Sequence, residues 1–191
     1  MTVTDVNVVK SAIFERPDDA NKGTLGSLLC VCGSYGMAGA AVMSAKGALR
    51  TGIGLAKCAL PRSIYPIVAQ TILESVYYPL SENADGRISK VNVPFLVSES
   101  CKSSATLVGC GLGVCDDTLK IVFSLIENST TPLVLDADAL NCVAKQPEIL
   151  LRKKAPIIID TDPGIDDSIA VRDLYNEWHA RDTSKKARAV I

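Results

Sequence analysis

The stretch that decides the fold is Ser27-Leu28-Leu29-Cys30-Val31-Cys32-Gly33-Ser34-Tyr35-Gly36-Met37-Ala38-Gly39. An apolar run of strand length (residues 27–32) enters a glycine-rich loop, and the small-residue segment 40–50 reads as a helix. Thr51-Gly52-Ile53-Gly54 stops that helix, and residues 55–60 form a second strand ended by Pro61. The alternation continues along the chain. Residues 63–70 read as a short helix with Ser63 as its N-cap, and Asn83-Ala84-Asp85-Gly86 as a turn. Residues 105–108 form a buried strand that opens into Gly109-Cys110-Gly111-Leu112-Gly113. An amphipathic helix is predicted over Asp116–Asn128, with Leu119, Val122, Phe123 and Ile126 on one face. A strand at 132–135 and a helix at 138–145 follow, and residues 157–160 read as one more buried strand. Strands alternating with helices imply right-handed crossovers and a mainly parallel sheet flanked by helices, an α/β fold.

Composition narrows the class. The chain has 191 residues, enough for one domain, with 48% hydrophobic and 21% charged residues and a formal net charge of −1. That balance excludes a nucleic-acid binder working through bulk positive charge. No apolar run approaches the roughly 20 residues of a membrane helix. The first ten residues carry acid, Asn and Thr instead of a basic region and apolar core, so no secretion signal is expected. The seven cysteines are odd in number, and Cys30, Cys32, Cys58 and Cys142 lie in apolar stretches, as small buried thiols of a reducing cytoplasm would. Cys30-Val31-Cys32 and the pair Cys110 and Cys115 lack zinc-ligand spacing.

In a parallel sheet, ligands bind where strand C-termini open into loops. Glycines there let backbone N–H groups approach an anion, and the next helix N-terminus adds a favourable dipole. Two such loops, 33–39 and 109–113, stand beside Asp136 and Asp138 at a third strand end. Together they make a candidate polar site, although either Asp could instead be an N-cap.

These residues resemble a known family. Lys22-Gly23-Thr24-Leu25-Gly26, the loop 33–39 with Ala40-Ala41, and Ala48-Leu49-Arg50-Thr51-Gly52-Ile53-Gly54-Leu55 occur in the order of the ADP-dependent NAD(P)H-hydrate dehydratases. Gly109-Cys110-Gly111-Leu112-Gly113 and Leu135-Asp136-Ala137-Asp138-Ala139-Leu140-Asn141 continue the match, which covers about residues 10–155. The resemblance implies a ribokinase-like fold and repair of hydrated NADH or NADPH. ADP, or ATP in some members, drives the loss of water, and Mg2+ is compatible. It implies that Ala40, Ala41 and Gly111 lie against the hydrated nicotinamide nucleotide, with Lys22, Asp136, Asp138 and Asn141 helping to form the cleft. Ala40 and Ala41 would be equally small if their helix simply packed tightly on the sheet.

The departures from the family are specific. Asn21 stands where His usually precedes the first Lys-Gly, and Cys110 stands where proline is usual. The family's Thr-Pro-His-x-Gly-Glu strand end, its later Lys-Gly segment and the Gly-Asp anion hole with the catalytic Asp are not found after Pro156; the one histidine is His179. The expectation is a truncated ribokinase-like part over residues 1–155, inactive alone, with no nucleotide-site residues to name. Homo-oligomers are common among intact relatives, and the oligomeric state here stays open.

Residues 156–171 resemble another family. Ile157 to Asp160 enters Asp160-Thr161-Asp162-Pro163-Gly164-Ile165-Asp166-Asp167, with four carboxylates in eight residues. Hard oxygen ligands of this kind suit Ca2+. The segment is similar to the signature of the inosine/uridine nucleoside hydrolases, which implies Ca2+ at Asp162 and Asp167 and ribose at Asp166. A calcium-dependent nucleoside hydrolase is therefore an alternative. Residues 172–191, densely charged around Trp178 and His179, read as a solvated helix and resemble a piece of the large serine recombinases. A non-enzymatic rearranged product is the third reading.

Overall fold

A computed structural model describes residue 21 and residues 23–160. Lys22, Asp162, Asp166, Asp167 and the expected C-terminal helix lie outside the described residues. Six strands, β1 (Ser27–Val31), β2 (Leu55–Pro61), β3 (Val76–Leu80), β4 (Ala105–Val108), β5 (Leu133–Leu135) and β6 (Ile157–Ile159), form one sheet. Every pairing is parallel and the order is β3-β2-β1-β4-β5-β6. Strand β6 is thus the sixth strand of the sheet that β1 begins, paired to β5 with Leu135 opposite Ile159.

The helices divide between two faces. Helices α1 (Ala38–Arg50) and α2 (Tyr65–Thr71) cover one face. Helices α3 (Val93–Cys101), α4 (Asp116–Asn128) and α5 (Asp138–Ala144) cover the other. Burial on both faces explains why β1 is apolar from Leu28 to Val31. Leu29 and Val31 enter the core under α3–α5, while Cys30 enters the core under α1 and α2. A strand buried on both sides has no polar face to alternate with.

Several expectations are adjusted by packing. Ser63 does not cap α2: the N-cap position is Ile64, and Ser63 Oγ donates to Glu82 Oε2 at 2.6 Å. Pro66 then occupies the first turn, where a missing N–H costs nothing. Helix α4 has the predicted bounds, but its buried face is turned from the predicted one. Ile121, Val122, Leu125 and Ile126 are fully buried, whereas Leu119 and Phe123 pack at the margin. Wedging between α3, α5 and the sheet widens the buried arc beyond one amphipathic stripe. Strand β6 is half-buried rather than buried: Ile158 is 45% exposed.

Burial converts this difference into a measurable contrast. Leu125→Ala removes a fully buried side chain and should cost about 3 kcal/mol in chemical denaturation. Leu119→Ala should cost less than half as much. Equal losses would contradict the observed orientation of α4.

Candidate functional site

The strand order reverses between β1 and β4. Each of the two strands sends its chain away to opposite sides of the sheet, which opens a crevice at their carboxyl ends. Both glycine loops sit there, and they are latched together. The Gly33 backbone N–H donates to the Cys110 carbonyl at 2.8 Å, and the buried Ser34 hydroxyl donates to the Gly111 carbonyl at 2.8 Å. Ser34 is a site-building residue that glycine spacing alone does not single out.

The second loop requires its glycines. Gly109 has φ +127, and a Cβ there would lie 1.8 Å from the Asp136 carbonyl oxygen and 2.8 Å from Ala139. Gly111 has φ +64, and a Cβ would lie 2.7 Å from Ala40 Cβ. The loop therefore runs in direct contact with the start of α1 on one side and the β5–α5 turn on the other. This contact brings Ala40, Gly111, Asp136, Asp138 and Asn141 into one continuous surface. Ala41 differs from its neighbour: it is 2% exposed and its methyl belongs to the core under α1.

Neither aspartate is the cap of α5. Its N-cap residue is Ala137, and no side chain caps it. Asp138 Oδ2 instead accepts from the Gly113 N–H at 2.7 Å, and Asn141 Nδ2 reaches Asp138 Oδ1 at 3.5 Å. Asp136 Oδ2 accepts from the Cys110 thiol at 3.0 Å. Between the aspartates Ala137 has φ 46 and ψ −115, a conformation that costs an L-residue on the order of 1–3 kcal/mol. The surrounding hydrogen bonds hold it there, with both carboxylates turned toward the 109–113 loop.

The three helix N-termini at the crevice differ electrostatically, and α5 carries Asp138 in its first turn. Helix α4 is closed by a capping box in which Thr118 Oγ1 accepts from Cys115 N at 2.9 Å, and Asp116 and Asp117 occupy its first turn. Helix α1 has no side-chain cap and no acidic residue in its first turn. Its free N–H groups and positive dipole end therefore face the crevice uncompensated, the arrangement that receives an anion. Beside it the 33–39 loop presents Tyr35, 75% exposed, over an open depression of about 470 Å³ that Ser63, Glu82 and residues 83–86 complete. Arg87 lies against Gly113, where a Cβ would meet its Nε at 2.4 Å. No periodic pattern in the sequence marks Arg87; it follows the Asn83–Gly86 turn and is placed by it.

The thiols behind the crevice are of two kinds. Burial raises the Cys30 and Cys58 thiols, and pushes Cys142 up to about 11, so these stay protonated. Cys32 and Cys110 interact with one another, which raises Cys32 well above and lowers Cys110 below the ordinary thiol value. Among the described residues no three His, Cys, Asp or Glu side chains converge as a metal site would require. No helix among them is long and apolar enough to cross a membrane.

Comparison with known proteins adds an independent line. Residues 28–163 match the NAD(P)H-hydrate dehydratase family model. The bifunctional NAD(P)H-hydrate repair enzyme Nnr of Thermofilum pendens is 33% identical over 149 residues, 78% of this chain and 28% of that protein. The ADP-dependent (S)-NAD(P)H-hydrate dehydratase of Neisseria meningitidis is 30% identical over 134 residues, 70% of this chain and 41% of that protein. The crystal structure of the Bacillus subtilis ADP/ATP-dependent NAD(P)H-hydrate dehydratase, co-crystallised with ATP/Mg2+, superposes with a TM-score of 0.64 at 24% identity. The superposition covers 92% of this chain and 57% of that one. A ribokinase-like superfamily protein of Enterococcus faecalis superposes with a TM-score of 0.69 at 16% identity over 86% of this chain and 53% of that one, which shows the ribokinase-like fold. The chain spans less than half the length of these curated relatives.

The close approach at Gly109 is directly testable. Gly109→Ala forces a Cβ into the Asp136 carbonyl and should lower stability by on the order of 3 kcal/mol in urea denaturation. Gly36→Ala, where a Cβ meets nothing within 4 Å, should cost only the positive-φ strain, roughly 1 kcal/mol.

Proposed function

The chain belongs to the NAD(P)H-hydrate dehydratase family, and from that premise we propose that the β1–β4 crevice holds hydrated NADH or NADPH for an adenine-nucleotide-driven loss of water. The reaction class is that of a carbon–oxygen lyase in nicotinamide nucleotide repair. The observation that carries this reading is the latched pair of glycine loops at the strand-order reversal, beside an uncapped α1. A dinucleotide brings a pyrophosphate, and the free N–H groups of α1 offer it a site that needs no lysine or arginine.

In this reading Ala40 and Gly111 form the floor of the crevice. Their small size lets backbone reach the substrate, and the Gly111–Ala40 contact leaves no space for a larger residue. Asp138 and Asn141 hold the 109–113 loop through Gly113 and flank the hydrated ring with Asp136. Lys22 would complete the cleft from outside the described residues. ADP, or ATP, serves as co-substrate, with Mg2+ arriving on its phosphates rather than in a protein-built cage. Residues 1–155 supply the substrate side of the cleft, and 156–171 and 172–191 are the segments that resemble other families, although β6 joins the sheet and the dehydratase match runs to residue 163. The setting is cytoplasmic and a homo-oligomer is compatible. Calcium-dependent nucleoside hydrolysis, through Asp162 and Asp167, has no observation in its favour among the described residues.

Binding and turnover separate in this account, because the family's substrate His, nucleotide segment and catalytic Asp motif are not among these 191 residues. In a thermal-shift series, hydrated NADPH should raise the melting temperature, a ligand at a hundredfold its Kd adding about 2.7 kcal/mol. Calcium should leave it unchanged. ADP-dependent recovery of NADPH absorbance should not occur with the chain alone. A shift with calcium and inosine only would overturn the reading.

A further inference from the structure

Cys32 and Cys110 stand at the ends of the two strands that bound the crevice. Val31 pairs with Val108, and the pairing carries on through the Gly33-to-Cys110 hydrogen bond. Strand alternation turns Cys30 and Cys32 into the core under α1, and Cys110 packs against that same core. The two thiols are close enough to perturb one another, raising Cys32 and lowering Cys110, and the neighbouring Ser44 hydroxyl on α1 donates to the Ala40 carbonyl at 2.9 Å. Neighbouring strands lie about 4.8 Å apart, and a disulfide spans Cα separations of about 4.4–6.8 Å, so a bridge fits the strand spacing. Both cysteines are free. Cys32 is 1% exposed, whereas Cys110 is partly exposed on the crevice side, in contact with Asp136. The proposed reaction uses neither sulfur.

We propose that Cys32 and Cys110 form a peroxide-responsive thiol pair, in which Cys110 is oxidised and Cys32 closes a reversible disulfide joining the two glycine loops. The Cys110 sulfur attacks one oxygen of hydrogen peroxide. The O–O bond breaks, the departing hydroxide takes up the Cys110 proton to leave as water, and Cys110 becomes a sulfenic acid while the peroxide is reduced. The Cys32 sulfur then attacks the Cys110 sulfur and the S–O bond breaks. The departing hydroxide takes up the Cys32 proton. Two thiols and one peroxide yield one disulfide and two waters. The division of roles follows from exposure and from the interaction between the two thiols. Cys32, raised by that interaction and by burial, keeps its proton. Cys110, lowered chiefly by the same interaction against burial and the Asp136 carboxylate, is the attacking sulfur.

The bridge has a consequence at the crevice. It removes the proton that Cys110 donates to Asp136 and draws the 109–113 loop toward β1. Resting on the functional reading above, oxidation should therefore weaken binding of hydrated NADPH.

The test uses the 191-residue chain carrying Cys101→Ser, which removes the exposed thiol. After treatment with hydrogen peroxide, digestion without reductant and mass spectrometry should show a peptide pair cross-linked between Cys32 and Cys110. Fragment spectra must distinguish Cys32 from Cys30 and Cys110 from Cys115, and dithiothreitol should reverse the link. Cys32→Ser should stop the reaction at a Cys110 sulfenic acid captured by dimedone. Unmodified thiols at both positions, or a link from Cys32 to Cys30 or Cys58, would overturn the pair. If the link forms but the thermal shift with hydrated NADPH is the same before and after oxidation, the coupling to the crevice is overturned while the pair stands. Loss of that shift on oxidation, restored by dithiothreitol, supports both.

Discussion

Gly109 has no room for a Cβ, and the rest of the site depends on that fact. Only a glycine lets the end of β4 pass against the Asp136 carbonyl and Ala139. That approach fixes the 109–113 loop between α1 and the β5–α5 turn. From it follow the Ser34 latch to Gly111, the Gly113 bond to Asp138 and the strained Ala137 that presents both carboxylates. The site is an array of backbone and small side chains, held by neighbours that permit no alternative. Such a site suits a large, flat, polar ligand whose contacts are many and individually weak.

Electrostatics then selects which end of the crevice meets an anion. Three helices begin there, and only α1 is both uncapped and free of acidic residues in its first turn. A helix N-terminus alone would be a weak argument. Combined with the reversal of strand order and the family match over residues 28–163, it supports the proposed placement of a dinucleotide with its phosphates on α1 and its ring toward Asp136 and Asp138. The Asp136 and Asp138 carboxylates are each tied to the 109–113 loop, and Asn141 of α5 also reaches Asp138.

Much of this was legible in the sequence, and the reasons for the rest are physical. Strands β1, β2 and β4 are short apolar runs closed by glycine or proline, so their ends announce themselves. Strand β3 is an edge strand, Val-Tyr-Tyr-Pro-Leu, with Val76 38% exposed and a proline that a central strand would not tolerate. It shows neither alternation nor a closing turn. Helix α3 starts at Val93-Pro94 after a single tight turn at Lys90–Asn92, too short for a clear period. At the site, the glycines and aspartates were visible as types at strand ends. Ser34, Arg87 and the Cys32–Cys110 pair were not, because each acquires its role from a residue distant in sequence. Cys110 was visible as a departure from the proline usual in the family and as a cysteine without zinc-ligand spacing.

The central claim is that ligand enters between the ends of β1 and β4. Amide hydrogen exchange with and without hydrated NADPH tests it most directly. The account predicts slowed exchange in residues 33–41 and 109–113, with the outer strands β3 and β6 unchanged. Slowing confined to residues 160–167, with the two glycine loops unaffected, would contradict it.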